Sequence, residues 1–211
     1  HDDFTIALGY KGNVIKDYFV NYHYKGRDVS VNTGTGDVQI HSGALENWQV
    51  NLLETGLNTL TKGRVDQIAK SIGNEPFMLT YGDGVADIDI DALLKFHKSH
   101  GKIATMTVVR PTSRFGAVEI DGDRVSAFEE KPQLAEGWIN GGFFVLEPEV
   151  LQYVAGPDAM WEQDPLEHLA ADGELMAYRH SGFWQSMDSL RDMRILDSLW
   201  QSGNPPWKVW K

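Results

Sequence analysis

The chain has 211 residues, 42% hydrophobic and 23% charged, which is the balance of one ordinary folded domain. Nineteen basic against thirty acidic residues give a net charge of −11, which argues against nucleic acid or an anionic membrane as partner, because both bind positive surfaces. Cysteine is absent, so disulfides and thiolate metal sites are excluded, and no apolar run suggests a membrane span or a signal peptide. We expect a cytoplasmic protein whose anionic ligand arrives with a metal ion.

The first third of the chain alternates strands with helices. Thr5–Leu8 predicts a short apolar strand, and the stripe from Val14 to Phe19 predicts a helix after it. Gly34-Thr35-Gly36 lies between two alternating segments, so we interpret it as a hairpin turn and not as a phosphate-binding loop. A further strand at Trp48–Leu52 and a helix with apolar positions from Val65 to Ile72 follow.

The start of that last helix carries Lys62-Gly63-Arg64. Backbone N–H groups at a helix N-terminus, together with a cation, could bind an anion. An ordinary solvated first turn explains the same residues, and spacing alone favours it over an anion site.

The stretch from Phe77 to Asp87 organises the middle of the chain. Phe77–Thr80 predicts a buried parallel strand, and Gly82-Asp83-Gly84 predicts a tight turn that leaves one carboxylate at the strand's C-terminal tip. Ligands of open α/β sheets bind outside the carboxyl ends of strands, so Asp83 is placed to hold a divalent cation on a nucleotide. The alternative is a turn residue or a helix N-cap. In the following helix we interpret His97 as a boundary or satisfied histidine, not as a ligand.

The second half continues the pattern. It predicts a strand at Ile103–Val109, a hairpin turning at Asp121-Gly122-Asp123, a buried strand at Phe143–Leu146, a short helix at Pro165–Ala171 and a strand at Leu175–Tyr178. Strands alternate with helices throughout. The fold class is therefore α/β, a Rossmann-like doubly wound mixed sheet with an inserted β-hairpin region, in a single domain over residues 1–211.

The C-terminal part begins with an aromatic-rich segment, Phe183–Asp188, which ends in a second carboxylate. A helix at Ser189–Gln201 follows, and the tail after it carries Trp207 and Trp210. These tryptophans could pack locally or against a partner subunit, and exposed apolar surface favours the second. We therefore expect the helix and tail, 189–211, to make contacts in a homo-oligomer.

The candidate chemistry rests on carboxylates and a few cations. One or two carboxylates, with phosphate and water in the remaining positions, are a common way to hold Mg²⁺, which suits Asp83 and Asp188. Lys131 and Arg64 are candidate phosphate or base contacts, and Asn140 beside two glycines could bind sugar hydroxyls. Each of these residues also has a structural explanation. Spacing alone therefore indicates only a nucleotide- or sugar-phosphate-binding α/β domain.

Six segments sharpen this interpretation: Gly9–Gly12, Tyr81–Asp87, Arg114–Ala117, Phe128–Pro132, Ile139–Phe144 and Gly182–Asp188. In order, and over essentially the whole chain, they resemble the sugar-1-phosphate nucleotidylyltransferases. Glu-Lys-Pro, then Asn-Gly-Gly, then a late Asp before a helix is specific to that superfamily. Tyr-Gly-Asp-Gly-Val-Ala-Asp and Trp161-Glu162-Gln163 point to its cytidylyl branch. The resemblance implies a fold of the nucleotide-diphospho-sugar transferase type.

The resemblance also implies a reaction. An oxygen of α-D-glucose 1-phosphate would attack the α-phosphorus of CTP, giving CDP-glucose and pyrophosphate, a step in deoxysugar and lipopolysaccharide biosynthesis. It implies that Asp83 and Asp188 hold Mg²⁺ and that Lys131 contacts the sugar's phosphate. The implied glucose-pocket residues are Tyr81, Gly116, Glu130 and Asn140, and the implied nucleotide neighbours are Gly63 and Arg64.

One departure from the family is large. Its members begin with a strand, a Gly-Gly-x-Gly-Thr-Arg loop and a Lys-Pro segment, whereas this chain begins His1-Asp2-Asp3-Phe4 without an initiating methionine. We expect a fragment that lacks its first βα unit and is inactive by itself, with the function belonging to the parent protein. The alternatives are a uridylyl- or thymidylyltransferase acting on a hexose 1-phosphate, a non-catalytic nucleotide- or sugar-binding relative, and a structural subunit.

Overall fold

The computed structural model describes residues 1–41, 43, 46–69, 71–111, 117–121, 124–129, 137–156 and 158–210. The chain forms two compact units. The first comprises residues 1–73 and 154–165, and the second comprises residues 74–153 and 166–211. None of the helices in these ranges is both long enough and apolar enough to cross a membrane.

The first unit is built on a pair of parallel strands. Its elements are β1 (Asp3–Leu8), α1 (Gly12–Val20), β2 (Val29–Val31), β3 (Val38–Ile40), β4 (Gln49–Glu54) and α2 (Thr61–Ile68). β1 pairs with β4 in parallel, and β2 and β3 form the predicted hairpin around Gly34–Gly36. Leu8 and Val65 are buried in this unit. α2 ends at Ile68, so the prediction that the helix extends to Ile72 is wrong.

The second unit contains a four-stranded mixed sheet and two smaller strand pairs. Its strands are β5 (Phe77–Thr80), β6 (Gly84–Ala86), β7 (Ala104–Val109), β8 (Ala117–Asp121), β9 (Arg124–Glu129), β10 (Ile139–Leu146), β11 (Leu175–His180) and β12 (Trp184–Ser186). Its helical segments are α3 (Ile90–His100), a 3₁₀ turn (Pro148–Val150), α4 (Leu151–Val154), α5 (Asp164–Ala171) and α6 (Leu190–Gln201), of which α4 and α5 cross the unit boundaries.

The four-stranded sheet has the order β11-β7-β10-β5. β11 runs parallel to β7, while β10 runs antiparallel to both β7 and β5. Ile88 and Leu93 pack with Val145 of the central strand β10 in a buried cluster that α3 covers. The expected mixed α/β fold is thus confirmed. The expectation that β5 is a parallel strand is wrong, because its pairing with β10 is antiparallel.

The chain after β5 also differs from expectation. Asp83 does not lead directly into a helix, because the short strand β6 intervenes. The N-cap of α3 is Asp89, whose side chain accepts a hydrogen bond from the Ala92 amide. The role of helix cap, which was the alternative for Asp83, therefore belongs to another residue.

A hydrogen-bonded chain of two histidines joins α3 to the sheet. The Lys102 amide donates to His100 Nδ1 at 3.0 Å, so Nε2 of His100 carries the proton and donates to Thr105 Oγ1 at 2.7 Å. The Thr105 hydroxyl then donates to His97 Nδ1 at 2.8 Å, and His97 Nε2 faces Glu147 Oε1 at 3.2 Å. This confirms the interpretation of His97 as a buried and satisfied histidine.

This chain of hydrogen bonds makes stability depend on pH through His100. Burial lowers the pKa of His100 below its ordinary value of 6.5, and the neighbouring His97 and Lys102 lower it further. The unfolded chain takes up a proton near pH 6.5, whereas folded His100 does so only at lower pH. The stability contributed by neutral His100 is therefore complete above pH 6.5 and is lost as the pH falls from there toward the lowered folded pKa.

We predict that the urea midpoint of the wild-type protein falls between pH 7.5 and pH 5.5 and that His100→Gln flattens this dependence. His23→Gln is the matched control, because His23 is exposed in the turn after α1. It should keep the wild-type slope. An unchanged slope in His100→Gln would show that this histidine does not couple folding to pH.

Candidate active site

The ribbon formed by β6 and β12 brings the two predicted metal carboxylates to one place. The strands pair antiparallel with Gly84 opposite Ser186, and the Met187 amide donates to the main-chain carbonyl of Asp83 at 2.8 Å. Asp188 is the next residue, and both aspartates are exposed to solvent. Although they are 105 positions apart in sequence, Asp83 and Asp188 therefore belong to the same end of one ribbon.

Asp188 is held by its own neighbours in sequence. The Ser186 hydroxyl donates to Asp188 Oδ2 at 2.8 Å, which orients the carboxylate. Ser189 caps α6 and forms a capping box with Asp192, so the backbone direction immediately after Asp188 is fixed as well. Sequence reasoning missed Ser186. Its position two residues before an aspartate is the only signal it offers.

The aspartate pair fits a hard divalent cation. Mg²⁺ prefers carboxylate, phosphate and water oxygens, and one or two protein carboxylates usually suffice when a substrate supplies phosphates. In the described ranges, no lysine or arginine forms an ion pair with Asp83 or Asp188. No cluster of three or more histidine, aspartate or glutamate side chains suited to a metal occurs there either. The pair would thus depend on substrate phosphates to complete the coordination shell.

A β-bulge builds the candidate sugar pocket. The register of β10 against β7 shifts between Asn140 and Phe144, and such bulges re-aim side chains beside functional sites. Asn140 Nδ2 donates to the Tyr81 hydroxyl at 3.3 Å, and Asn140 Oδ1 accepts the Gly142 amide at 2.8 Å. Two of the predicted sugar contacts, Tyr81 and Asn140, therefore lie in direct contact with each other.

Gly142 leaves the space that the Tyr81 ring occupies. Its φ is +79°, which L side chains rarely adopt, and a Cβ there would lie 2.8 Å from Tyr81 Cδ2. The Tyr81 amide also donates to the Gly142 carbonyl at 3.2 Å. The Asn-Gly-Gly sequence thus has a conformational and steric reason, because the bulge and the tyrosine ring both require a residue without a side chain.

Trp184 connects the bulge to the ribbon. Its indole Nε1 donates to the Gly141 carbonyl at 2.8 Å, and Trp184 itself is the first residue of β12. The predicted sugar contacts Tyr81 and Asn140 and the predicted metal carboxylates Asp83 and Asp188 are therefore parts of one connected arrangement within the second unit. In the sequence, Trp184 stands out only as part of the Gly182–Asp188 motif, which gives no sign of this role.

Arg64 lies in the first unit, at the carboxyl ends of two parallel strands. Its Nη1 donates to the Leu8 carbonyl at 3.1 Å and to Thr55 Oγ1 at 2.6 Å. Leu8 ends β1 and Thr55 follows β4, so the guanidinium lies at the sheet edge where α/β proteins bind ligands. The backbone of Gly9 passes so close that a Cβ there would lie 2.7 Å from Arg64 Nη2.

The N-terminus of α2 is already occupied by the chain's own carboxylates. Asp158 accepts the amides of Leu60 at 2.9 Å and Gly63 at 3.1 Å. The ammonium of Lys62 is buried against Asp164 at 2.5 Å. An anion at the Gly63 amide would have to compete with Asp158, so of the Lys62-Gly63-Arg64 segment Arg64 is best placed to meet a ligand. The assignment of Gly63 to the nucleotide stays a prediction.

Comparison with known proteins decides the family. The nucleotidyl transferase family matches residues 29–189. The chain is 48% identical over 210 residues to the glucose-1-phosphate cytidylyltransferases of Salmonella typhi and Salmonella typhimurium, covering 99% of this chain and 82% of each relative. The chain belongs to the nucleotidyl transferase family. The resemblance to sugar-1-phosphate nucleotidylyltransferases, and with it the transferase class, is confirmed.

A solved structure supports the fold of this nucleotidyl transferase. Apo-UDP-glucose pyrophosphorylase superposes with a TM-score of 0.63 at 15% identity, covering 96% of this chain and 82% of that one. Three predicted site residues of the nucleotidyl transferase, Gly116, Glu130 and Lys131, lie outside the described residues. Their roles stay predictions.

We predict that Gly142→Ala both destabilises the protein and weakens sugar-phosphate binding, because the new methyl group pushes the Tyr81 ring away from Asn140. Gly173→Ala is the matched control, since its φ is a similar +72° and a Cβ added there would meet no atom within 4 Å. Each should lose about 1 kcal/mol through the unfavourable φ, but only Gly142→Ala should raise the KM for the sugar phosphate, measured by steady-state kinetics on the full-length protein. Equal KM values in the two variants would show that Gly142 does not shape the site that binds the sugar phosphate.

Proposed function

We propose that this protein transfers the cytidylyl group of CTP to α-D-glucose 1-phosphate, forming CDP-glucose and pyrophosphate. The observation that carries the proposal is the 48% identity, over 99% of this chain, to two proteins named glucose-1-phosphate cytidylyltransferase. The Tyr81–Asp87 segment and Trp161-Glu162-Gln163 support the choice of base. We place the reaction in the cytoplasm.

The chemistry is a displacement at phosphorus. A phosphate oxygen of glucose 1-phosphate forms a bond to the α-phosphorus of CTP, and the bond from that phosphorus to the oxygen bridging to the β-phosphorus breaks. The electron pair leaves with pyrophosphate. No protein atom becomes bonded to the substrate, so the rate depends on in-line positioning and on neutralising the charge of the phosphates.

Asp83 and Asp188 are the residues that we assign to Mg²⁺. Their exposure and their common position at one end of the ribbon support this assignment. When bound, Mg²⁺ would neutralise charge on the phosphate oxygens. The protein's own task is to present the two carboxylates together, with Asp188 oriented by Ser186.

The remaining residues orient the two substrates. Tyr81 and Asn140, which are hydrogen-bonded to each other, would bind glucose hydroxyls together with Glu130 and Gly116. Lys131 would contact the phosphate of glucose 1-phosphate and supply positive charge where negative charge gathers. Arg64 and Gly63 would lie beside the nucleotide.

The decisive experiment compares nucleotides with the full-length protein. Pyrophosphate release is measured with glucose 1-phosphate and CTP, UTP or dTTP, and the nucleotide sugar is identified by mass spectrometry. The proposal expects CDP-glucose and a clear preference for CTP. Preference for UTP or dTTP would make the protein a uridylyl- or thymidylyltransferase, and binding without turnover would make it a non-catalytic relative.

We predict that Lys131→Ala in the full-length protein lowers kcat/KM for glucose 1-phosphate about a hundredfold, equivalent to roughly 2.7 kcal/mol of transition-state stabilisation. Binding of CTP should change far less, because the lysine is assigned to the sugar's phosphate. Lys98→Ala, which removes an exposed lysine of α3, serves as the control and should leave both unchanged. A loss of only a few-fold in kcat/KM would show that Lys131 is a surface charge with no contact to the reacting phosphate.

We also propose that the protein is a homo-oligomer with residues 189–211 in the contact. The support is apolar exposure on α6 and the tail: Leu190 is 68% exposed, Trp200 54% and Trp210 58%. Trp207, by contrast, packs on Phe183 of its own chain with ring centroids 5.5 Å apart. Light scattering of the full-length protein at micromolar concentration should give the mass of more than one chain, and a monomer would count against the proposal.

A further inference from the structure

The ribbon of β6 and β12 has a second end, away from the two aspartates, and that end is closed by a histidine. His180 is the last residue of β11, and its Nε2 lies 2.9 Å from Asp87 Oδ1 and 3.1 Å from the Phe183 carbonyl oxygen. The Asp87 amide donates to the same carbonyl at 3.2 Å. Asp87 directly follows β6, and Phe183 directly precedes β12.

The two oxygens beside His180 determine which nitrogen of the imidazole carries the proton. Both oxygens that face His180 Nε2 are acceptors, so Nε2 must carry the hydrogen. The side chain of His180 is only 10% exposed, and Oδ1 of Asp87 is fully buried. The hydrogen bond of the imidazole goes to the Phe183 carbonyl, while Asp87 Oδ1 lies close to the ring without accepting a hydrogen bond, and the Asp87 side chain is 31% exposed. His180 therefore ties the end of β11 to the start of β12 and contacts the carboxylate that follows β6.

Gly182 shows that the chain makes room for this pair. A Cβ at Gly182 would overlap the Asp87 carboxylate and lie 2.7 Å from His180 Cε1. The φ of Gly182 is not in the left-handed region, so its conformation does not demand glycine. What excludes a side chain at this position is the space taken by Asp87 and His180.

The ribbon needs such a clamp because it is very short. β6 and β12 have three residues each, and a two-stranded pair of that length has little stability of its own. A slip by one residue would turn each side chain of β12 to the opposite face and move Asp188 away from Asp83. β11, in contrast, pairs with β7 over all six of its residues, so His180 is attached to a firm support.

We propose that His180 and Asp87 are positioning residues that hold β12 in register against β6 and so keep Asp188 beside Asp83. The link to catalysis rests on the proposed function, in which those aspartates bind Mg²⁺. Neither His180 nor Asp87 touches substrate in this account. They act through the backbone of Phe183 and the strand that follows it.

The first test needs neither metal nor activity. Hydrogen exchange of the Met187 amide, which donates to Asp83, is measured by NMR in the metal-free full-length protein. His180→Ala should speed this exchange about tenfold, while the amide of buried Val145 in the central sheet keeps its protection. His180→Gln retains an N–H donor and should restore most of the protection. His23→Ala, on an exposed turn, is the control.

The second test measures the metal site. Mn²⁺ binding, followed by electron paramagnetic resonance, should weaken about tenfold in His180→Ala, which is the scale expected when support behind metal ligands is lost. Gly182→Ala, which displaces the pair without removing either group, should weaken it similarly. At saturating metal, kcat should recover to within about twofold of wild type, because the clamp sets metal affinity and not the chemistry.

The outcomes separate the two proposals. Faster exchange at Val145 as well as Met187 would mean general destabilisation and would overturn the register clamp, as would unchanged Met187 exchange in both His180→Ala and Gly182→Ala. If the exchange and Mn²⁺ results hold but the wild-type protein makes no CDP-glucose, the clamp stands and the proposed reaction fails. If activity is present but the variants leave Met187 exchange and Mn²⁺ affinity unchanged, the reaction stands and the clamp fails.

Discussion

The candidate site depends on one backbone pairing, in which the Met187 amide donates to the Asp83 carbonyl. Two carboxylates bind one cation well only if the backbone already holds them side by side, since like charges in proximity repel each other before the cation arrives. The pairing of β6 with β12 provides this proximity with six residues. Ser186 and Trp184 matter because their hydrogen bonds fix the position of this ribbon and of Asp188.

The candidate sugar pocket also depends on a local feature of the backbone. The bulge in β10 interrupts the regular register, and the interruption gives Asn140 a direction that a regular strand would not provide. Tyr81 and Asn140 then satisfy part of each other's hydrogen-bonding capacity. A sugar that binds here would meet hydrogen-bonding groups whose geometry is set before it arrives.

Local patterns and motifs in the sequence predict most of the elements and two of the site carboxylates. Period-two and helical stripes locate most strands and helices. The motifs predict Asp188 as a metal partner of Asp83, and the structure places both residues at one end of the β6–β12 ribbon. What the sequence could not predict was pairing between short segments far apart along the chain. β6 and β12 are too short to show periodicity, and the antiparallel pairing of β5 depends on β10, more than fifty residues later. The role of His180 is invisible in sequence, because it arises only when β11 and β6 end at the same place.

The Arg64 side chain is already ordered by the fold, which lowers the entropy cost of binding a ligand. With Nη1 bonded to both the Leu8 carbonyl and the Thr55 hydroxyl, its guanidinium has lost most of its rotational freedom before any ligand binds. Ordering a free arginine costs on the order of 2 kcal/mol of side-chain entropy, and here folding has already met that cost. A lysine at this position would keep the charge but would lose the planar guanidinium, whose Nη2 lies against the backbone of Gly9. The rigidity of this side chain, more than its charge, is therefore what sets Arg64 apart from a surface cation.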